Sequence, residues 1–149
     1  MQAALLANTV STLFMTGLIW FVQVVHYPLF SSVGGAEFAA YSRAHQSLTT
    51  FVVGPAMLVE ALSAAILVFA RPAGVPAWLA WLGLALVVAI WLSTAILQVP
   101  AHGRLVGGFD AGTHGFLVGT NWIRTACWSL RAVVVVAMLA AVTAPRAEA

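Results

Sequence analysis

Four histidines, His26, His45, His102 and His114, are the residues of this chain best suited to chemistry. A neutral imidazole can ligate a metal, and imidazole titrates close to physiological pH. They fall around two connections between long apolar runs, His26 and His45 around the first, His102 and His114 around the second. Gln23 and Gln98 lie just before these connections, and Asn121 and Arg124 lie just after the second. Three converging imidazoles suit zinc, copper or iron. Haem iron needs only one or two of them on facing helices, with an arginine such as Arg124 for a propionate. The expected metal set is therefore His26, His45, His102 and His114, and the expected cofactor-binding set is His26, His102, Arg124, Gln23, Gln98 and Asn121. No HExxH, CxxC or CxxCH spacing accompanies them, so a transition metal ion or haem is read from residue type alone. A carboxylate would have to fold in from the loops, from Glu37 or Asp110. Nucleophilic catalysis lacks support, because the single cysteine, Cys127, is deep in an apolar run with no histidine near it in sequence.

Composition dictates the elements that position these groups. The 149 residues are 62% hydrophobic and 7% charged, more apolar than a soluble domain of this size can hide. Four runs, 4–27, 47–70, 77–99 and 118–142, each reach the ~20 residues with which a helix crosses the hydrocarbon core. The expected fold is all-α: one four-transmembrane-helix bundle over 1–149, with short interfacial helices in the connections between spans one and two and between spans three and four. The first run lacks a basic n-region and is too long for a signal peptide, so it reads as a retained span. Four spans put both termini on one side and the connections 28–46 and 100–117 on the other. Arg43 and Arg104 near one face against Arg71 and Arg146 near the other leave the positive-inside rule tied. A net charge of +2 from scattered arginines gives no footprint for nucleic acid. The expected partners are the lipid bilayer and a lipophilic small molecule, with a homo-oligomer required for any carrier function.

Polar side chains inside a bilayer are costly unless partnered. Thr9, Thr12, Thr16, Trp20 and Gln23 follow one helical stripe, which His26 continues; Trp91, Thr94 and Gln98 repeat the pattern in the third run. Pro28 and Pro100 are expected to end the first and third spans, leaving His102 just outside. The second run holds Glu60, and the fourth carries Asn121, Arg124, Trp128 and Arg131 on one face. From His45 to Glu60 is about 22 Å along a helix and from His114 to Arg131 about 26 Å. The depths match, so a buried Glu60–Arg131 pair is expected, with Arg124 and Asn121 nearer the histidines. The order Gln23, His26, Pro28, Gly34-Gly35, Glu37, His45 resembles the order Gln98, Pro100, His102, Gly107-Gly108, Asp110, His114. Either a duplicated helical hairpin or chance in an alanine- and glycine-rich chain accounts for it.

The motifs "HYPLF", "VGPAML-E" and "NWIRT" resemble those of a group of uncharacterised small four-span bacterial membrane proteins, which implies a multi-pass protein of the bacterial inner membrane. The run around Gly54-Pro55-Ala56-Met57-Leu58 is more loosely similar to the second span of the small membrane protoporphyrinogen oxidases, a resemblance that implies haem. Asn121 and Arg124 resemble the pair near the start of the last span in anthrone-oxygenase-like membrane proteins, which implies oxidation of a lipophilic substrate. The expected function is a polar pocket at one membrane face that binds a metal or haem and serves a membrane redox reaction on a lipophilic molecule. The alternatives are a non-catalytic membrane protein whose polar groups specify helix packing, or a small oligomeric carrier.

Overall fold

The computed structural model describes residues 1–144, so Arg146 lies outside the described residues. The elements are α1 (Gln2–Phe21), a π-helical turn (Val22–His26), a 3-10 turn (Pro28–Ser32), α2 (Gly35–Phe69), α3 (Ala77–Ser93), a second π-helical turn (Thr94–Gln98), α4 (Val99–Leu105) and α5 (Ala111–Thr143). No strand occurs among the described residues. These join into four rods, Gln2–Ser32, Gly35–Phe69, Ala77–Leu105 and Ala111–Thr143, each long and apolar enough to cross a membrane. Phe51, Leu62, Phe69 and Val133 are exposed on the outside, whereas Thr12, Glu60, Asn121 and Arg131 are buried. An apolar exterior around a polar interior is the arrangement that lipid, not water, favours.

Two expectations need correction. Neither Pro28 nor Pro100 ends its span. Proline lacks an N–H and crowds the carbonyl four residues back, yet in both places the helix widens by one residue just before it. Tyr27 N–H donates to Val22 O at 2.9 Å, and Val99 N–H donates to Thr94 O. These five-residue steps relieve the clash without breaking the rod, and Pro28 and Pro100 then sit in the first turn of the next segment, where no N–H is needed. His102 is consequently inside a continuous rod. The second correction concerns the stretch around Phe38, Tyr41 and His45, which forms the first turns of α2 itself and not a separate interfacial helix.

α1 packs against α2 and α5, and α3 packs against the same two. α1 and α3 therefore face each other across one diagonal of the bundle, and α2 and α5 across the other. Two apolar clusters fill the interior. One gathers Met15, Ile19, Tyr27, Phe30, Met57 and Trp128 toward the histidine-bearing connections. The other gathers Leu5, Leu67, Leu79, Val134 and Met138 toward the termini. The turn between α2 and α3 closes over the terminal end: Gly74 has φ 99°, and a Cβ there would stand 2.7 Å from the Ala141 carbonyl oxygen. Only glycine meets both demands.

Asp110 starts α5, its Oδ1 accepting from Thr113 N–H at 2.7 Å. The Thr113 side chain and this backbone bond together hold the Asp110 carboxyl below its usual 3.8, since hydrogen bonds to the carboxylate favour the ionised form. The cap is therefore fully present above the ordinary carboxylate range and is lost as pH falls through the lowered value. Asp110→Ala is expected to speed hydrogen exchange at the amides of the first turn of α5, while Asp110→Asn, which keeps the acceptor, leaves exchange near wild type and removes its acid dependence.

Candidate functional site

Two polar centres occupy the bundle, at different depths. The first is built on Glu60 and Arg131, which meet across the α2–α5 diagonal with Arg131 Nε donating to Glu60 Oε1 at 2.8 Å. Glu60 Oε1 also accepts from Thr12 Oγ1 at 2.8 Å, and Oε2 accepts from Trp128 Nε1 at 3.0 Å. Arg131 further donates to Asn8 Oδ1 and Thr12 Oγ1 on α1 and to the Gly83 carbonyl on α3. Asn8 returns to α2 by donating to Glu60 O and Ser63 Oγ, both at 3.0 Å. All four rods are joined through one pair of charges. On each rod the polar residues fall between the two apolar clusters: between Leu5 and Met15, Met57 and Leu67, Leu79 and Ile90, Trp128 and Val134.

The second centre lies toward the connections. Phe30, fully buried, is the common neighbour of all four histidines, its ring centroid 5.2 Å from His26, 5.0 Å from His45, 6.3 Å from His102 and 6.2 Å from His114. His26 Nε2 and His45 Nδ1 share a hydrogen bond of 2.8 Å, and Thr49 Oγ1 meets the same His45 nitrogen at 3.1 Å. His102 Nε2 bonds the Tyr27 hydroxyl at 2.8 Å. His114 Nε2 donates to the Tyr27 carbonyl at 2.7 Å, which fixes its tautomer because a carbonyl only accepts. The His102 backbone is held in turn by Gln46 Nε2 at 3.0 Å from its carbonyl.

The glutamines separate. Gln23 is buried against α5, donating to Val118 O and accepting from Asn121 Nδ2 at 2.8 Å and Thr125 Oγ1 at 3.3 Å. Gln98 lies elsewhere, accepting from Ser93 Oγ at 3.0 Å and donating to Thr120 Oγ1 at 3.2 Å. The structure thus brings together His26, His45 and His102, and separately Gln23 and Asn121, but does not place Gln98 with them. Glu37 and Asp110 are both exposed, so neither adds a carboxylate to the cluster.

The rings converge, but their nitrogens do not open onto a common point. His26 and His45 bond each other, His102 bonds Tyr27, and the Phe30 ring lies among all four imidazoles. Among the described residues no three His, Cys, Asp or Glu side chains are placed to hold a metal ion. A three-ligand metal site therefore does not fit these side chains as they stand. What does stand open is a set of three buried polar atoms without hydrogen-bond partners: His102 Nδ1, Asn121 Oδ1 and Arg124 Nε. Such atoms are few in native structures, and here all three belong to one end of the bundle.

Several residues of these centres are hard to find in the sequence. Tyr27 is 4% exposed and links His102 to His114, yet only its position beside His26 points to it. Asn8 carried a legible signal, an amide inside an apolar run. The Gly83 carbonyl and Ser63 carried none. Compared with protein-family profiles, with curated proteins and with solved structures, the chain finds no significant match. Fold and site define it as an all-α, four-helix protein with apolar rods of membrane-spanning length around buried polar centres.

Removing one partner of a buried pair leaves an uncompensated charge and costs about 3–5 kcal/mol. Glu60→Gln and Arg131→Gln are each expected to lower stability on that scale in detergent unfolding. The double variant is expected to lose clearly less than the sum of the two; strict additivity would show that the residues are not energetic partners.

Proposed function

We propose that the histidine end of the bundle is a pocket for the polar head of a lipophilic small molecule, against which Tyr27 and His102 exchange a proton. The carrying observation is the 2.8 Å bond between the Tyr27 hydroxyl and His102 Nε2 beside a buried, unpartnered His102 Nδ1. If Tyr27 donates, Nδ1 carries a spare proton; if Tyr27 accepts, Nδ1 is a spare lone pair. Either tautomer leaves one group free for a visitor, while the Tyr27 bond steadies the ring as a base is steadied in general acid–base catalysis. Half-buried His26 is bonded to His45, whose ring lies beside that of His102.

A metal or haem at the same place is a second reading, favoured by the closeness of the His26, His45 and His102 rings, 4.7 and 5.2 Å between successive centroids. It requires the His26–His45 bond to break. Gln23 and Gln98 support a packing role instead, since their hydrogen bonds are made to α5 and to Ser93 within the bundle.

Native mass spectrometry of the protein purified in mild detergent tests the proposal. A retained lipophilic molecule is expected in the wild type and should be largely lost in His102→Ala and Tyr27→Phe, with both variants still folded. A wild type that retains nothing and binds no added phenol or quinone would leave only the packing role. Elemental analysis and an absorption spectrum of the same sample decide the second reading: stoichiometric metal or a Soret band that disappears in His26→Ala would carry it.

A further inference from the structure

Arg124 is only 7% exposed, and its Nε has no hydrogen-bond partner. Its guanidinium lies over the Trp128 ring at 5.2 Å, hydrogen-bonds the Tyr27 side chain, and acts by its charge on His102. None of these is an anion. The acids of the described residues are committed elsewhere: Glu60 pairs with Arg131, Asp110 caps α5, and Glu37 is exposed at the start of α2. A guanidinium does not shed its proton in proteins, and a buried charge whose neighbours are all neutral, with no counter-ion, is unfavourable.

One turn away on the same helix, Asn121 Oδ1 is also buried and unpartnered. Its Nδ2 is already bonded to Gln23 Oε1 at 2.8 Å, which fixes the amide so that the oxygen is the free atom. The vacant demands are therefore an acceptor, with negative charge, for Arg124 and a donor for Asn121. A head with an ionised oxygen and a hydroxyl satisfies both, and a plain carboxylate satisfies the one that carries charge.

We infer that the pocket selects an oxyanion on an apolar tail, held by Arg124 at the level of Asn121 and His102. This inference rests on the pocket proposed above and names the class of molecule it takes. Two sources share that chemistry, a free amphiphilic acid and the headgroup of an anionic phospholipid.

The test uses the full chain in uncharged maltoside micelles, with radiolabelled dodecanoate and dodecanol as probes at mildly alkaline pH. Dodecanoate is expected to bind saturably and more tightly than dodecanol. Added phosphatidylglycerol competes if the phospholipid is the source and does not if the free acid is; both results support the inference. Arg124→Gln is expected to weaken dodecanoate about tenfold or more, the factor that a lost charge-assisted hydrogen bond gives. Asn121→Asp places a carboxylate one turn from Arg124 and should weaken dodecanoate similarly even if Arg124→Gln fails to fold. Equal binding of acid and alcohol, or unchanged dodecanoate affinity in the folded variants, overturns the oxyanion inference while leaving the lipophile pocket intact. Binding of neither probe overturns both.

Discussion

The Glu60–Arg131 pair is the constraint on which the rest of the bundle depends. Two ionised side chains in an apolar interior are tolerated only when each is closely paired and its remaining donors and acceptors are satisfied. Here satisfaction requires Asn8 and Thr12 from α1, Trp128 from α5 and the Gly83 carbonyl from α3. A slip of any rod by one turn, about 5.4 Å, would withdraw at least one of these partners. The network therefore fixes the vertical register of all four rods, a task that apolar packing performs weakly between helices whose outer surroundings are equally apolar. Thr12 shows the difference from Thr9: Thr9 donates to the carbonyl four residues back on its own helix, whereas Thr12 donates across to the Glu60 carboxylate.

Register at one depth sets geometry at another. With the rods locked at Glu60 and Arg131, Arg124 on α5 and Tyr27 on the first rod are brought to the same level. The π-helical turns then do the aiming. Each adds a residue to one turn and so rotates everything beyond it about the helix axis. In the first rod this turns Tyr27 inward, 4% exposed, and leaves His26 half-buried. In the third it leaves Gln98 against Thr120 while His102 reaches Tyr27.

That rotation explains what could and could not be read from the chain. Length, hydropathy and the four apolar runs made the four-helix architecture legible, and matching depth counts along the second and fourth runs pointed to Glu60 and Arg131 as neighbours. The histidine end was legible as a concentration of chemistry but not as a geometry. A stripe drawn at 3.6 residues per turn runs from Gln23 straight to His26; through a five-residue turn it does not, and Tyr27 takes the inward place. Proline looked like a terminator because its usual effect is to break a helix, and the widened turn before it gives no signal in residue type. Partners supplied by backbone, such as the Gly83 carbonyl, are invisible to any reading of side chains. The stretches HYPLF, VGPAML-E and NWIRT nonetheless fall on the two polar centres, at His26 and Tyr27, at Glu60, and at Asn121 and Arg124.

The diagonal arrangement of the rods has a consequence for symmetry. Half a turn about the long axis of the bundle exchanges α1 with α3 and α2 with α5, and both exchanged rods of the first pair carry a π-helical turn ending two residues before a proline. The Glu60–Arg131 pair lies across that axis. Two identical hairpins related by it would oppose acid to acid or arginine to arginine, an arrangement that like-charge repulsion forbids in an apolar interior. Opposite charges can face each other there only because the two halves are unequal, so the same pair that joins the rods also makes the halves impossible to interchange.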